Sequence, residues 1–286
     1  MISGLRRKNE FSRRRFQPAC WAVAVASSWC GPVSASASSL LHYTARLHGV
    51  PLMDITLCLG LDAKAYRTAI KVATLGMADW IAHARIEGWA GGKVDGATLI
   101  PGSYADHGRI FGEDQSAAIA YPEGEPVLQR ISPDPGKTRL PIQQDGLHGA
   151  IDGLSAVALE SLAVTRTGTC QGEAHVFDGR QLRRAATHTG GQDTLPPNPR
   201  SVFAGRAVRC ETESVLLAGF LRAKPITAQI EPRHSRVWLA PVVAGGPAVP
   251  VRMMFDADAL GDIVVDVDAT SQAACPAGLE PPQGLN

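Results

Sequence analysis

The sequence predicts a mostly β fold: a single curved antiparallel sheet or barrel-like β fold with one principal helix at about 150–165, behind a cleaved N-terminal signal. Three observations carry that expectation. Apolar and polar residues alternate in short runs from Tyr43 to Val267, as half-buried strands require. Turn-forming Gly, Pro and Asp residues break these runs at short intervals. A single convincing stretch, "AIDGLSAVALESLAVTR", carries apolar residues at three- and four-residue spacing instead.

The first residues read as an export signal. Arg6, Arg7, Lys8, Arg13, Arg14 and Arg15 form a basic region, followed by a modestly apolar run ending in the cleavage pattern Ala35-Ser36-Ala37. That run is shorter than the ~18 residues of a membrane-spanning helix, so no stable membrane span is expected. "SRRRF" places Arg13 and Arg14 in a twin-arginine export pattern that holds through Phe16 and departs at Gln17 and Pro18. An ordinary secretion signal is the alternative. The domain plan is therefore residues 1–37 as signal, 38–269 as one β-rich domain in the periplasm, and 270–286 as a Pro- and Gly-containing flexible tail.

Cleavage changes the charge. Of 28 basic and 27 acidic residues the signal holds six and one, leaving a mature net of −4 with histidine neutral. A mildly acidic chain has no electrostatic reason to bind nucleic acid or anionic head groups. Cys20 and Cys30 leave with the signal. Cys58, Cys170, Cys210 and Cys275 remain, and four cysteines allow three complete pairings.

The elements follow in order. Tyr43, Ala45 and Leu47 alternate up to "HGVP", and Met53, Ile55, Leu57 and Leu59 alternate after it, which is a hairpin. Tyr66, Thr68, Ile70 and Val72 continue the pattern. Met77 and Ile81 suit a helical turn or two, and "RIEGWAGGKV" returns to strand. Three more strands are expected between Ala97 and Ile131, then a Pro/Gly-rich loop. The principal helix follows, with Asp152 placed to cap its N-terminus. Strands resume at "EAHVFDGRQLRRAATH", where Asp178-Gly179 is a hairpin-turn dipeptide, and at "RAVRCETESVLLAGFL", "RVWLAPVV", "VPVRMMFDAD" and "DIVVDVDA". "GGQDTLPPNPRS" reads as a polar loop.

Catalytic and cofactor signatures each fail at a named position, so no cofactor, metal or catalytic residue is predicted. "GLSAV" begins a nucleophile elbow, but Val157 stands where the second glycine belongs. "PDPGKT" lacks the first glycine of a phosphate loop, with Ile131 in its place. Asp256 to Asp262 lacks calcium ligands at Leu260 and Val267. Eight scattered histidines form no zinc motif. Trp80, Trp89 and Trp238 are candidates for lining a ligand site, with core packing as the simpler reading.

Several of these stretches, in this order, resemble the DUF3108 family of bacterial envelope proteins of uncharacterised function. They are "YTARLHGVPLMDITLCL", "EGWAGGKVDGATLIPGSY", "GAIDGLSAVALESL", "TCQGEAHVFDGRQLRR" with the later "RAVRC", "RVWLAP" and "VPVRM". The resemblance covers about residues 39–268. It implies a disulfide between Cys170 and Cys210, and it brings no catalytic residues. Cys58, inside an alternating apolar strand, is then expected to be a buried free thiol, and Cys275 free or its occasional partner.

Function follows as an expectation: non-enzymatic binding of a hydrophobic small molecule or lipid-like envelope component on a concave apolar surface. The motive is fold analogy with envelope lipoprotein carriers. The alternatives are an envelope glycan or peptidoglycan hydrolase using carboxylates, and an assembly or structural factor with an envelope protein partner.

Overall fold

The structure, a computed structural model, describes residues 38–257, 260–272 and 275. The stretch read above as an export signal, with Arg13, Arg14, Ala35 and Ala37, lies outside the described residues.

Every run that alternates in sequence forms a strand. The first half comprises β1 (Ser39–Leu47), β2 (Val50–Leu61), β3 (Ala65–Thr74), β4 (Arg85–Asp95), β5 (Thr98–Ile110), β6 (Glu113–Ala120) and β7 (Val127–Ser132). The second half comprises β8 (Gly172–Phe177), β9 (Leu182–Leu195), β10 (Gly205–Ala218), β11 (Arg233–Pro241), β12 (Ala248–Asp256) and β13 (Asp262–Gln272). All thirteen join one antiparallel sheet in the order β7-β6-β5-β4-β3-β2-β1-β13-β12-β11-β10-β9-β8. Each half is a plain meander. The halves are joined where β1 pairs with β13.

Alternation along β1 decides which side is core: Leu41, Tyr43 and Ala45 are fully buried while their neighbours are only partly so. The Tyr43 hydroxyl satisfies itself inside by donating to the Pro250 carbonyl at 2.8 Å, because a buried phenol without an acceptor would carry a desolvation cost. Val249, Val251, Val265 and Val267 complete the apolar face around it.

Helix α2 (Gly153–Thr167) packs on that face, as its spacing predicts. Asp152 caps it, accepting from the Ser155 backbone N–H at 2.8 Å. The first turn meets β3 and β4, where Tyr66 hydrogen-bonds Ser155 at 2.6 Å and Leu154 lies against Gly88. The last turns meet the other half of the sheet: Val164 packs with Cys210 and Leu239, and Thr165 accepts from the Ala248 N–H.

The sheet is not closed by a strand ladder, and its β8 edge is covered in another way. Ile151 bridges β8 in parallel, donating to His175 and accepting from Phe177. Asp178 and Gly179 make the β8–β9 turn as expected: Asp178 Oδ1 accepts from the Arg180 and Gln181 N–H groups, and Gly179 takes φ +87°. The turn lies against the far end of the sheet. A Cβ at Gly179 would come within 3.1 Å of Ala117, and Arg180 donates to the carbonyls of Ser116 on β6 and Ser132 on β7. Covered edges do not recruit other chains.

Two expectations need correction. "GGQDTLPPNPRS" is not all loop: its first residues extend β9 to Leu195, paired with β10 as far as Gly205. The Gly190-Gly191 pair absorbs a register shift there, and Asp193 is held by Arg209 and Trp238. Cys58 is buried as expected but is not a free thiol. It is bonded to Cys275, so the chain after β13 is fastened at that point and the stretch from 270 is not uniformly loose.

The disulfide implied by the family resemblance, Cys170–Cys210, is present, with 5.7 Å between its Cα atoms. It closes a loop with a sequence separation of 40 residues. Loop-closure entropy gives such a bridge about 4 kcal/mol. Replacing both residues with serine is expected to lower unfolding free energy by that order in urea titration. Non-reducing peptide mapping is expected to find the 170–210 cross-link in protein matured under oxidising conditions.

Candidate functional site

Successive hairpins of a meander return at the same end of the sheet. The β1–β2, β3–β4, β5–β6, β10–β11 and β12–β13 connections therefore share one rim. Direct contacts tie neighbouring members together. Leu75 donates to the Leu52 carbonyl, Phe111 donates to the Ala82 carbonyl at 2.6 Å, and Gly261 lies beside His48.

This rim carries the largest exposed apolar side chains of the described residues. The β3–β4 connection forms α1 (Gly76–Ala82), whose Met77, Trp80 and Ile81 are 76%, 85% and 74% exposed. Phe111, in the β5–β6 turn, is 69% exposed. Val50, Leu260, Ile226 and Ile230 continue the row along the rim. Connections between alternate strand pairs stand roughly 10 Å apart, so the row is a line of separate apolar tips rather than a pocket.

Met77, Trp80 and Ile81 fall at i, i+3 and i+4, one face of a helix. The opposite side of α1 is fastened to the sheet: Asp79 accepts from the Thr74 hydroxyl and from Arg85, both at 2.7 Å. The Arg85 hydrogen bond, then that of Thr74, holds the Asp79 carboxyl below its ordinary range. Arg109 is likewise paired with Asp114 at 2.8 Å. The two arginines flanking α1 and the Phe111 turn are thus neutralised locally, and the attraction the rim offers is apolar.

The concave face is occupied. Asp152 is fully buried, and its Oδ2 accepts from Ser155 at 2.6 Å and from Tyr121 at 3.3 Å. Burial raises the Asp152 carboxyl, and its hydrogen bonds from Ser155 and Tyr121 oppose that rise. Ser155, the serine of "GLSAV", is itself fully buried in the first turn of α2, so it holds a helix end and meets no substrate.

Midway along α2, burial pushes Glu160 up to about 7, against a lowering hydrogen bond from Thr187. A carboxyl raised in the fold binds a proton that the unfolded chain has released. Stability therefore falls as pH rises from about 4.5 through 7. Glu160→Gln is expected to remove this slope: little change in unfolding free energy at pH 4, and a gain of up to about 3 kcal/mol at pH 8. Urea titrations at the two pH values check it.

The remaining candidates sort clearly. Cys170, Cys210, Asp178 and Gly179 are structural. Trp89 and Trp238 are buried, with Trp238 donating to Asp193 at 2.7 Å, whereas Trp80 stands fully in solvent on the rim. A groove of about 460 Å³ is lined by His188, Glu211, Glu213, His234, Arg236 and Asp262. Its polar groups are paired locally: Arg236 with Asp262 at 3.0 Å, and Glu211 with His188 of neighbouring β9 at 3.3 Å and with Arg209, two residues before it on β10, at 3.0 Å. Among the described residues no cluster of three or more His, Cys, Asp or Glu side chains is placed to hold a metal ion, and no helix is long and apolar enough to cross a membrane. No family model, curated protein or solved structure matches the chain.

Proposed function

We propose that this chain is an exported periplasmic protein of the DUF3108 type that works by binding, engaging an apolar, lipid-like component of the envelope along its exposed rim. The observation that carries the reading is the row from Phe111 through Trp80, Ile81 and Met77 to Val50, held in solvent by a helix that is itself fastened down. Two disulfides fit an extracytoplasmic site of maturation. Because α2 fills the concave face, the ligand surface moves from the inside of the sheet to its end. Separate protruding tips suit a deformable apolar phase such as a lipid surface, which needs no matching pockets.

Flotation of the mature oxidised protein with phosphatidylcholine vesicles tests this. Co-flotation that persists in high salt is expected, since the rim arginines beside α1 are already paired. Protein that stays with the aqueous fraction at every salt concentration overturns the lipid reading and favours an envelope protein as the rim's partner.

A further inference from the structure

The rim changes character along its length. Around α1 and Phe111 its arginines are paired with Asp79 and Asp114, and the attraction there is apolar. Where β7 and β10 finish, a short ribbon of loop closes it instead. Leu140 donates to the Phe220 carbonyl and the Arg222 N–H to the Thr138 carbonyl, both at 2.8 Å, around an antiparallel Arg139–Leu221 bridge. The Gln229 side chain folds the following loop back, donating to the Leu221 and Lys224 carbonyls and accepting from the Leu221 N–H. Exposed Ile226 and Ile230 are thereby held beside the ribbon.

Lys137, Arg139, Arg222 and Lys224 stand on this ribbon and its flanks. Among the described residues none of the four is paired with a carboxylate. Arg139 donates to the Gly219 carbonyl at 2.8 Å and Arg222 to the Gly136 carbonyl at 3.2 Å, bonds that fix a guanidinium and leave its charge in place. Asp134 and Glu231 are the nearest acids in sequence, and Asp134 accepts from the Gly136 N–H of its own turn. Burial lowers the Arg183 guanidinium on β9, Asp178 opposes that, and Arg233 and Arg139 add to it. Positive charge therefore gathers at this end of the rim. The near balance of 28 basic and 27 acidic residues in the whole chain averages it away.

Building on the lipid reading of the rim, we propose that this ribbon is a second contact, one that takes the phosphate groups of anionic phospholipids while Ile226 and Ile230 enter the apolar phase. Cations bracketing exposed aliphatic side chains suit an anionic bilayer surface, where apolar burial and charge attraction add. Long Lys and Arg stems let the charges reach head groups as the isoleucines dip below them.

Flotation of the mature oxidised protein with phosphatidylcholine vesicles, and with vesicles of equal phosphatidylcholine and phosphatidylglycerol, tests the ribbon. Each cation at an anionic surface strengthens binding by about fivefold, so three of the four acting together give the mixed vesicles an advantage of about a hundredfold at low ionic strength. That advantage is expected to vanish in molar salt, where the screening length is about 3 Å, while binding to phosphatidylcholine persists. Lys137→Gln together with Lys224→Gln is expected to cut the advantage about twenty-five-fold. Both side chains are exposed, so phosphatidylcholine binding and the thermal midpoint are expected to stay as in the wild type. Equal binding to the two vesicle types overturns the ribbon and leaves the apolar rim standing, and so does a double variant that keeps the whole advantage. Binding to neither vesicle type overturns the rim reading and the ribbon with it.

Discussion

Replacing Trp80, Ile81 and Phe111 together with serine is expected to weaken partitioning onto phosphatidylcholine vesicles by about a hundredfold. Burying one such side chain contributes about 1.5–3 kcal/mol when complete. Tips that only dip into an interface realise part of that, so three residues supply on the order of 3 kcal/mol, which is about a hundredfold in affinity. Folding is expected to be unaffected, because these side chains are 85%, 74% and 69% exposed and contribute little to the core. The thermal midpoint thus serves as the internal control. Retained partitioning by the folded triple variant removes the rim from the binding reading.

Replacing Cys58 and Cys275 with serine is expected to have the largest effect on stability. The bridge spans a sequence separation of 217 residues, for which loop-closure entropy gives about 5 kcal/mol. Domains of ordinary stability hold 5–15 kcal/mol in all, so the double variant sits near the edge of folding. Urea titration checks this against the Cys170/Cys210 pair, whose loop has a separation of only 40 residues. The expected order is wild type, then the Cys170/Cys210 variant, then the Cys58/Cys275 variant. Equal losses for both pairs, or a smaller loss for Cys58/Cys275, contradict the loop-length account.

Strand meanders were legible because burial on one face leaves a two-residue period in the sequence, and α2 because its spacing is different. The Asp152 cap and the Asp178-Gly179 turn were legible because each depends on one residue's local chemistry. The β1–β13 pairing left no local trace, since it joins segments more than 200 residues apart. The same holds for Cys58–Cys275. Cys58 looked like one more apolar position in an alternating strand, and only the placement of α2 shows that it points outward. The rim failed for the opposite reason. Met77 and Ile81 have the spacing of a core-facing stripe, and nothing in seven residues of helix reveals that the polar side is the anchored one. Trp80 was singled out, but its company with Phe111 depends on two hairpins returning to the same end.

The β1–β13 seam also governs how the chain can be assembled. The first strand made and the last one made are neighbours in the middle of the sheet. Until β13 emerges, β1 and β12 each present an unpaired edge, and the two meanders are held together through α2, the β8–β9 turn, the Arg139–Leu221 bridge and the Tyr43 hydrogen bond to Pro250. Such long-range completion is slow and leaves open edges waiting. A chain threaded through a membrane from its N-terminus would expose the edge of β1 for the whole of that passage. A chain completed beforehand would present no such edge, which gives an export route for folded proteins a physical advantage rooted in strand order.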